Sequence, residues 1–371
     1  MMKPVRILHV LGSMNRGGVE TWLMHILRQI DRERFRMDFL VHTNQPASYD
    51  EELINLGSRI LRCPYTRSPI RYARRFLEVT RNAGPFDVVH SHSQYFSGYV
   101  MWLARLAGIP MRITHSHNVV PKGSPRREQY VRLSKWLIRS NCTHALAVSQ
   151  PAARSVFGPH WQQDSRASIV RCSVDLTPFR AAIDRTVVRG EFGYHADEIV
   201  FGHVGRFVRQ KNHRFFVEIA AEVSRREPRA RFLLVGEGPL QTEIEQLFCQ
   251  YGIRDRATFT GPRPDVPRLM LGAMDAFLFP SFYEGLGLVV VEAQAAGLAT
   301  TISDAVPLEA DVVPALIKRL SLDQPASTWA ESALQDYKHR VPDAIELIER
   351  GPLNVVNNAK DLLDVYSGQV A

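Results

Sequence analysis

Two glutamates flank a glycine-rich turn late in the chain, within the segment PSFYEGLGLVVVEAQAAG of residues 280–297. Glu284 precedes the turn, and Glu292 follows it after the apolar residues 288–291. Because glycines permit a close turn, the pattern predicts a helix directly after them. The unpaired N–H groups of a helix start suit a phosphate, whereas carboxylates suit neighbouring hydroxyls. The segment therefore favours a sugar–diphosphate–ribose ligand. A solvated loop glutamate and an ordinary helix glutamate are the alternative interpretation.

Two cations, Arg206 and Lys211, lie in VGRFVRQKNH, directly after the predicted strand IVFGHVG. A departing diphosphate develops negative charge, which many enzymes neutralise with a divalent metal held by an Asp-x-Asp motif. This chain contains no such motif. A guanidinium fork and an ammonium can stabilise the same charge. We therefore expect these side chains to bind a diphosphate without a metal; the alternative is a pair of solvated loop cations.

A glycine pair, Gly17 and Gly18, follows the first predicted strand, VRILHVLG, and precedes a helical pattern from about Val19. Glycines at this position allow the backbone to approach a phosphate at the helix start. Gly12 and Gly17 are five positions apart, so the G-x-G-x-x-G pattern of dinucleotide-binding proteins is not met. A purely structural tight turn is the alternative.

Four histidines end two neighbouring predicted strands: His90 and His92 in DVVHSHS, and His115 and His117 in RITHSHN. Open α/β sheets bind ligands at the carboxyl edge, where these residues fall. Strand alternation puts His115 and His117 on one face. Imidazole is a common metal ligand, but no carboxylate or cysteine lies beside them in the sequence. We expect no metal site here, while keeping it as the alternative.

Size and composition indicate two soluble domains. A chain of 371 residues is long for one core, and 45% hydrophobic and 23% charged residues are ordinary values. No apolar run approaches the length needed to span a bilayer. The four cysteines are widely scattered, which fits neither a disulfide framework nor a zinc site, so a cytoplasmic location is expected.

Charge is unevenly distributed. Residues 1–170 carry 24 Lys and Arg against 11 Asp and Glu, and the remainder carries 22 against 27. A basic front half implies an anionic partner for that half. No zinc-finger, RRM-like or helix-turn-helix signature points to nucleic acid. An anionic membrane surface or a diphosphate-linked lipid fits better.

Short apolar segments alternate with amphipathic ones along the chain. The predicted strands are VRILHVLG, RMDFLVH, DVVHSHS, MRITHSH, HALAVS, IVFGHVGR, RFLLVGEG, ATFTG, AFLFPS and LATTIS. Most are nearly continuous apolar runs, which are typical of parallel strands covered on both faces. Helical patterns between them predict two doubly wound α/β domains. A polar stretch over residues 175–197 separates the two series, so we predict domains 1–175 and 176–350, with a final helix in 351–371.

One predicted helix is both basic and amphipathic. The segment KGSPRREQYVRLSKWLIRS, residues 122–140, carries six Lys and Arg and one Glu. Its apolar residues fall at helical spacing, at Tyr130, Leu133, Trp136 and Leu137. Such a helix either packs its apolar stripe on the core or docks on a membrane. The arginines of SPIRYARRFLEV (Arg71, Arg74 and Arg75) favour docking.

Four of these motifs together resemble a known enzyme family. The segment EGLGLVVVEAQAAG is similar to the E-x₇-E signature of retaining glycosyltransferases of family 4, which have the GT-B fold. VGRFVRQKNH resembles the family's donor-phosphate motif, VGEGP its V-G-x-G-P turn, and NRGGVE its G-G-x-E loop. The order and spacing agree from about Ile7 to Gly297. The last 70 or so residues match poorly.

The resemblance implies an architecture and a set of roles. Two Rossmann-like domains would face a central cleft, with the acceptor on the first domain and a nucleoside-diphosphate sugar, a UDP-sugar, on the second. Arg206 and Lys211 would hold the diphosphate, Glu284 the sugar hydroxyls and Glu292 the ribose. Backbone N–H groups near Leu286, Gly287 and Leu288 would meet the phosphate or sugar, Gly17 and Gly18 would approach the donor, and His117 would contact the donor sugar.

The same resemblance implies retention of configuration, no metal or other cofactor, and an acceptor that is a glycan or a lipid-linked sugar of a surface polysaccharide. By analogy, the final helix crosses back to the first domain. The chain departs from the family at Cys172 and Ser173, where members commonly have an Asn-Gly turn. A UDP-sugar epimerase of the same fold and a catalytically silent binding module are the alternative functions.

Overall fold

The structure is a computed structural model that describes residues 3–119, 124–341 and 343–368. The predicted ends of the chain, residues 1–2 and 369–371, and Lys122 of the basic segment lie outside these ranges. The chain divides into two compact units. The first contains residues 1–173 and 355–371, and the second contains residues 174–354. The sequence placed this division after residue 175.

The first unit is built on a seven-stranded parallel sheet with the order β3-β2-β1-β4-β5-β6-β7. Its strands are β1 (Val5–Leu11), β2 (Phe35–Val41), β3 (Ile60–Arg62), β4 (Val88–Ser91), β5 (Met111–Ser116), β6 (His144–Ala147) and β7 (Ala167–Ile169). Its helices are α1 (Gly18–Gln29), α2 (Asp50–Asn55), α3 (Pro69–Ala83), α4 (Ser97–Leu106), α5 (Pro125–Asn141) and α6 (Gln150–Phe157). The strand order reverses between β1 and β4, which pair directly.

The second unit repeats this plan with a six-stranded parallel sheet, in the order β10-β9-β8-β11-β12-β13. Its strands are β8 (Ile199–Val204), β9 (Ala230–Val235), β10 (Ala257–Phe259), β11 (Ala276–Phe279), β12 (Ala299–Ser303) and β13 (Ile317–Leu320). Its helices are α7 (Arg185–Gly190), α8 (His213–Arg226), α9 (Gln241–Gln250), α10 (Val266–Gly272), α11 (Leu288–Ala295), α12 (Ala326–Asp336) and α13 (Ala344–Glu349). Here the order reverses between β8 and β11.

Nine of the ten strands predicted from the sequence lie inside the two sheets, and the tenth, β10, lies at an edge. In the second unit Phe201, Phe232 and Leu278 point into one core with Phe216 of α8 and Trp329 of α12. Helices on both faces explain why these strands read as continuous apolar runs rather than alternating ones. The prediction of two doubly wound α/β domains is therefore confirmed.

The final helix, α14 (Val355–Tyr366), belongs to the first unit. The Asn358 side chain accepts a hydrogen bond from Trp22 Nε1 of α1 at 2.7 Å and one from Ser173 Oγ at 3.0 Å. Its Nδ2 donates to the Arg171 carbonyl at 2.7 Å. The buried side-chain amide of Asn358 thus joins α14 to α1 and to residues 171 and 173, at the end of the first chain segment of this unit. Since buried polar groups are costly when unpaired, these bonds fix where the helix packs.

Candidate active site

The second unit gathers four of the predicted donor-site residues at the point where its strand order reverses. The loop after β8 carries Arg206 and Lys211, and the loop after β11 carries Glu284 and leads into α11 with Glu292. Because β8 and β11 are adjacent in the sheet but distant in the chain, their loops diverge and leave a crevice at the carboxyl edge. Parallel α/β sheets bind ligands in this place.

Lys211 and Glu284 form an ion pair across this crevice. Lys211 Nζ lies 2.7 Å from Glu284 Oε1, and the two side chains are 18% and 7% exposed. The ammonium also lies 4.6 Å from the centre of the Phe279 ring, at the end of β11. The aliphatic stem of Lys211 packs over Gly205, where an added Cβ would lie 3.3 Å from it. The sequence did not predict that the cation and the carboxylate are partners.

Gln210 joins the two loops, a role that the sequence motifs did not predict. Its carbonyl accepts from Phe282 N at 2.8 Å, and its Nε2 donates to the Tyr283 carbonyl at 3.0 Å and to Glu284 Oε2 at 3.3 Å. Glu284 is thus held from both sides, by Lys211 and by Gln210. The only signal in the sequence is the position of Gln210 directly before Lys211.

The V-G-E-G-P turn of residues 235–239 is bonded to the loop that carries Arg206 and Lys211. Phe207 N donates to the Glu237 carbonyl at 2.9 Å. Gly236 and Gly238 have φ of +133° and +159°, and an added Cβ would lie 2.2 Å from Gly205 O and 2.6 Å from Phe207 O. Only glycine tolerates both this backbone and this contact. The turn therefore positions the loop rather than providing a binding group of its own.

Arg206 lies within this supported loop, and its side chain is exposed. It forms no ion pair or side-chain hydrogen bond with any residue that the structure describes. Its neighbours on both sides are anchored by backbone bonds to the V-G-E-G-P turn, Gly205 N to the Val235 carbonyl and Phe207 N to the Glu237 carbonyl, both at 2.9 Å. A fixed backbone thus presents a guanidinium whose donors remain available for an anion.

Helix α11 begins at Leu288, directly after the glycine turn as the sequence predicted. Its N-cap Gly287 has φ +88°, a left-handed conformation that favours glycine, and an added Cβ would lie 3.3 Å from Val306. Leu286 and Gly287 are buried, and Leu288 is half-buried. The first N–H groups of α11 therefore lie close beside the loop that carries Glu284.

Glu292 lies one turn into α11, and its side chain has no hydrogen-bond or ionic partner within the described ranges of the chain. Burial raises the pKa of its carboxyl from 4.5 to about 7, because desolvation penalises the charged form. A half-buried carboxyl without a partner has free acceptor positions for a ligand's hydroxyls. Perturbed carboxyls of this kind are typical of functional sites.

In the first unit the carboxyl edge of the sheet carries a cluster of histidines rather than separate strand ends. His92 Nδ1 lies 2.7 Å from His117 Nε2, and His92 Nε2 lies 3.0 Å from His9 Nδ1. At the other end, His117 Nδ1 lies 3.4 Å from Cys172 Sγ. His9 was not among the predicted site residues, although it falls in a buried strand of the same sheet.

A second chain of bonds runs beside the first. Tyr366 Oη lies 2.7 Å from His90 Nδ1, and His90 Nε2 lies 3.2 Å from His115 Nδ1. His115 Nε2 lies 2.8 Å from the Val170 carbonyl. Because a carbonyl only accepts, His115 must carry its proton on Nε2, so His90 donates to His115 and Tyr366 donates to His90. Every polar atom in this chain is satisfied with all rings neutral.

Burial keeps the histidines of this cluster uncharged. Desolvation lowers the pKa of His9 and of His115 from 6.5 to about 3. It lowers the pKa values of His90, His92 and His117 well below 6.5. Neutral imidazoles are competent metal ligands, and two groups, His9 with His90 and His92, and His92 with His115 and His117, each bring three ligand atoms within 4.8 Å.

Gly17 and Gly18 lie at the start of α1, but the backbone conformation of Gly17 does not require a glycine. Its φ of −150° is extended and open to any residue. What an added Cβ would meet is Glu20, whose Oε2 would lie 2.4 Å away. The Glu20 carboxylate thus covers Gly17, and the space beside this glycine is taken up by the protein's own side chain.

Comparison with known proteins identifies the family. Residues 184–349 match the family described as glycosyl transferases group 1, and residues 17–162 match the glycosyl transferase 4-like domain. The putative glycosyltransferase EpsF of Bacillus subtilis is 37% identical over 335 residues, which cover 88% of this chain and 86% of that protein. The chain is a group 1 glycosyltransferase.

Other relatives of this glycosyltransferase are more distant. A UDP-Gal:alpha-D-GlcNAc-diphosphoundecaprenol alpha-1,3-galactosyltransferase of Escherichia coli is 29% identical over 226 residues, covering 59% of this chain and 58% of that one. The crystal structure of Anabaena Alr3699/HepE in complex with UDP and glucose superposes with a TM-score of 0.81. It covers 98% of this chain and 99% of that one at 19% identity. This likeness shows that the glycosyltransferase has the GT-B fold.

Proposed function

We propose that this glycosyltransferase transfers a sugar from a UDP-sugar to a glycan or lipid-linked acceptor of a surface polysaccharide, with retention of configuration. The observation that carries the proposal is the crevice of the second unit. There Lys211 and Glu284 form an ion pair, and the exposed Arg206 lies on a loop held by backbone hydrogen bonds. The side chain of Glu292, one turn into α11, has no partner among the described residues. These are the groups that a sugar nucleotide needs.

Lys211 is suited to bind the diphosphate and to orient Glu284 at the same time. An ammonium has three N–H donors, and the contact with Glu284 uses one of them. The remaining donors are available for phosphate oxygens, together with the Arg206 guanidinium. Glu284 retains acceptor positions for hydroxyls of the donor sugar. The first N–H groups of α11, near Leu286, Gly287 and Leu288, add donors for the phosphate or sugar.

The proposed reaction follows from these placements. The bond between the anomeric carbon and the diphosphate oxygen breaks, and its electron pair stays with the diphosphate. The acceptor hydroxyl attacks the same face of the sugar, and its proton passes to the departing phosphate oxygen. Arg206 and Lys211 stabilise the charge that develops on the leaving group. The charge of Glu284 is proposed to stabilise the cationic sugar of the transition state.

Glu292 is proposed to accept hydrogen bonds from the ribose hydroxyls. In the first unit, His117 is proposed to contact the donor sugar as a neutral imidazole. Gly17 and Gly18 are proposed to lie beside the donor. These three roles rest on the family resemblance.

We further propose that turnover requires no metal or other cofactor, because two fixed cations serve the diphosphate. Activity with excess EDTA is the direct test. Loss of more than about tenfold, roughly 1.4 kcal/mol of barrier, would show that a metal contributes. Full restoration by magnesium or manganese, and by neither sodium nor spermidine, would identify the requirement as a divalent one.

The acceptor and the location follow from the relatives and from charge. The Escherichia coli relative is named for an acceptor linked to diphosphoundecaprenol. We propose a similar lipid-linked acceptor here, and a cytoplasmic protein peripheral to the inner face of the plasma membrane. Among the described residues, no helix combines the length and the apolar character that crossing a bilayer requires.

A screen of nucleotide sugars by thermal shift tests the donor, and NMR of the product tests the stereochemistry. We expect stabilisation by one UDP-sugar above other bases, and a product with the donor's anomeric configuration. Inversion would refute the same-face mechanism. Release of an epimerised UDP-sugar without an acceptor would favour the epimerase alternative. Donor binding without hydrolysis or transfer would indicate a silent module.

A further inference from the structure

Three neighbouring helices of the first unit expose large apolar side chains together. Trp136 is 61% exposed, Leu133 56% and Tyr130 47%, all on α5. Trp102 and Leu106 are exposed one turn apart on α4, and Ile70 is exposed at the start of α3. We call the exposed surface of α3, α4 and α5 the aromatic-basic face. A protein surface seldom keeps several such side chains in water without a partner.

Three members of the apolar stripe of α5 do not face the core, whereas the fourth, Leu137, packs against Gly98 of α4. The helix packs inward through Ser134, Ile138 and Asn141, which are buried. Gly98 of α4 makes this close packing possible, since an added Cβ would lie 2.5 Å from the Ser134 carbonyl. The residues Tyr130, Leu133 and Trp136 point elsewhere, at intervals of three. The sequence left two interpretations of this stripe open, and the contacts favour the outward one.

The three helices form one continuous surface. Arg105 of α4 donates to the Ser140 carbonyl of α5 at 3.4 Å. Tyr99 Oη of α4 donates to the Pro69 carbonyl at the start of α3 at 2.8 Å, and the Tyr99 ring stacks on Trp102 at 5.6 Å. Trp102 therefore lies at the surface of the helix that joins α3 to α5. α4 thus contacts both α3 and α5, so the exposed side chains of the three helices belong to adjoining elements.

Positive charge surrounds these apolar side chains. Lys and Arg number four on α3, one on α4 and five on α5, against Glu78 and Glu128 as the only acids. Arg75 pairs with Glu78 at 3.4 Å. Six exposed arginines form no ion pair with any residue in the described parts of the chain: Arg71, Arg74, Arg126, Arg127, Arg132 and Arg139. Unpaired arginines around exposed aromatic rings match the chemistry of an anionic lipid surface.

We propose that the aromatic-basic face docks on an anionic lipid bilayer, with Trp136, Leu133 and Trp102 entering the interface and the arginines binding lipid phosphates. This proposal rests on the proposed function, because docking would bring the enzyme to an acceptor that is held in the membrane. Aromatic rings prefer the headgroup region, where one edge is apolar and the other wet. Nucleic acid would use the arginines but would not require the exposed Leu133 and Leu106.

Co-sedimentation of the full chain with vesicles tests the proposal. The probes are vesicles of phosphatidylcholine alone and of phosphatidylcholine with phosphatidylglycerol. We expect binding to the anionic vesicles only, weakening as salt rises, because screening acts beyond about 8 Å at physiological ionic strength. A blue shift of tryptophan fluorescence on binding, lost in Trp136→Ser, would show that this ring enters the bilayer.

Two sets of variants separate charge from insertion. The triple variant Arg126→Glu, Arg132→Glu and Arg139→Glu should weaken binding by about a hundredfold, since each basic residue contributes near the surface. Its matched control reverses three exposed arginines of the same unit: Arg32→Glu, Arg34→Glu and Arg36→Glu. The control has the same change in net charge, so equal loss in both variants would refute a specific face.

The apolar pair Leu133→Ser and Trp136→Ser should weaken binding roughly tenfold with the salt dependence unchanged. Its control, Ile54→Ser and Val187→Ser, removes side chains of similar exposure, 61% and 58%, far along the chain. All four sites are exposed, so folding should survive, which circular dichroism checks. An unchanged vesicle affinity in Leu133→Ser and Trp136→Ser would overturn the proposal.

Other results of the vesicle experiments would point to a different partner for the aromatic-basic face. Equal binding to neutral and anionic vesicles would overturn the charge argument. Tighter binding to duplex DNA than to anionic vesicles, or loss of self-association in Trp136→Ser without vesicle binding, would overturn it in favour of nucleic acid or a protein partner. Transfer to a soluble acceptor analogue is measured in the same variants. Its absence in the wild type, with vesicle binding intact, would refute the proposed function and leave the docking face standing.

Discussion

Lys211 and Glu284 meet at 2.7 Å across the crevice of the second sheet, so the residue proposed to hold the diphosphate also holds the residue proposed to orient the sugar. The pair is largely enclosed, and Gln210 contacts the other carboxylate oxygen at 3.3 Å. Breaking such a pair leaves an uncompensated charge behind. The two residues should therefore fail differently when each is replaced.

Glu284→Gln keeps the shape of the side chain and removes its charge. We expect kcat to fall by roughly a hundredfold while donor affinity is unchanged or increases, because Lys211 is released toward the diphosphate. An interaction made mainly in the transition state lowers kcat and kcat/KM together. Steady-state kinetics with donor affinity from calorimetry is the measurement. Glu218→Gln, at an exposed site on α8, is the control; weaker donor binding with normal kcat would reverse the assigned role.

Gln210→Leu removes the amide that joins the two loops. We expect kcat/KM to fall about tenfold, mostly through kcat, because Glu284 and the loop after β11 lose two hydrogen bonds. Gln210 is a positioning residue, so the shorter amide of Gln210→Asn should give a kcat/KM between those of Gln210→Leu and the wild type. Added salt should not raise kcat/KM in either variant. Arg209→Gln, at the neighbouring exposed position, is the control. Equal kinetics for Gln210→Leu and wild type would remove this role.

Glu292 predicts a pH dependence of donor binding with a definite sign. Burial raises its pKa to about 7, so the free carboxyl ionises only as the pH rises through that value. If the ionised form accepts the ribose hydroxyls, donor affinity increases between about pH 5.5 and 8 and then levels off. Calorimetry across this range should show the rise in the wild type and its absence in Glu292→Gln. A flat profile in the wild type would argue against the ribose role.

The same raised pKa carries a stability prediction. The unfolded carboxyl loses its proton near pH 4.5 and the folded one near pH 7, so the folded state binds more protons between these values. The favourable contribution of Glu292 to the free energy of unfolding is therefore present below pH 4.5 and is lost as the pH rises through 7. Glu292→Gln should raise the unfolding temperature at pH 8 while leaving it unchanged at pH 4.5. Lower stability at pH 8 would contradict the shift.

The histidine cluster predicts the opposite behaviour for the first unit. Its folded pKa values lie far below the 6.5 of an unfolded histidine, with His9 and His115 at about 3. Below pH 6.5 the unfolded chain takes up protons that the folded cluster excludes, so stability falls as the pH falls, by up to about 1.4 kcal/mol per pH unit for each histidine. Denaturant titrations at pH 7.5, 6 and 5 measure this.

His9→Gln tests the origin of that slope, since it removes one titrating group and keeps a polar side chain beside His92. The slope between pH 6.5 and 5 should become shallower than in the wild type. His160→Gln, at an exposed site in the same unit, should leave the slope unchanged. A wild-type stability that is independent of pH over this range would show that the cluster is solvated rather than buried.

Some parts of this protein follow from its sequence alone. The ten predicted strands are all present, because a parallel strand covered on both faces must be apolar along its length. The three strands that were missed, β3, β7 and β13, are edge strands of three or four mostly half-buried residues, and the fourth edge strand, β10, was predicted. They lack the apolar run that marks an inner strand. The start of α11 after Gly287 was also predictable, since turn chemistry is local.

Tertiary structure alone decided which side chains meet. The sequence treated Lys211 and Glu284 as separate binders 73 positions apart, and the sheet brings them together because β8 and β11 are neighbours at the reversal of strand order. It treated the histidines as strand ends, while pairing of β1, β4 and β5 aligns them with Cys172 and Tyr366. Spacing along the chain shows which face a residue occupies within its own element. Contacts between elements depend on strand order and helix packing, which no local pattern encodes.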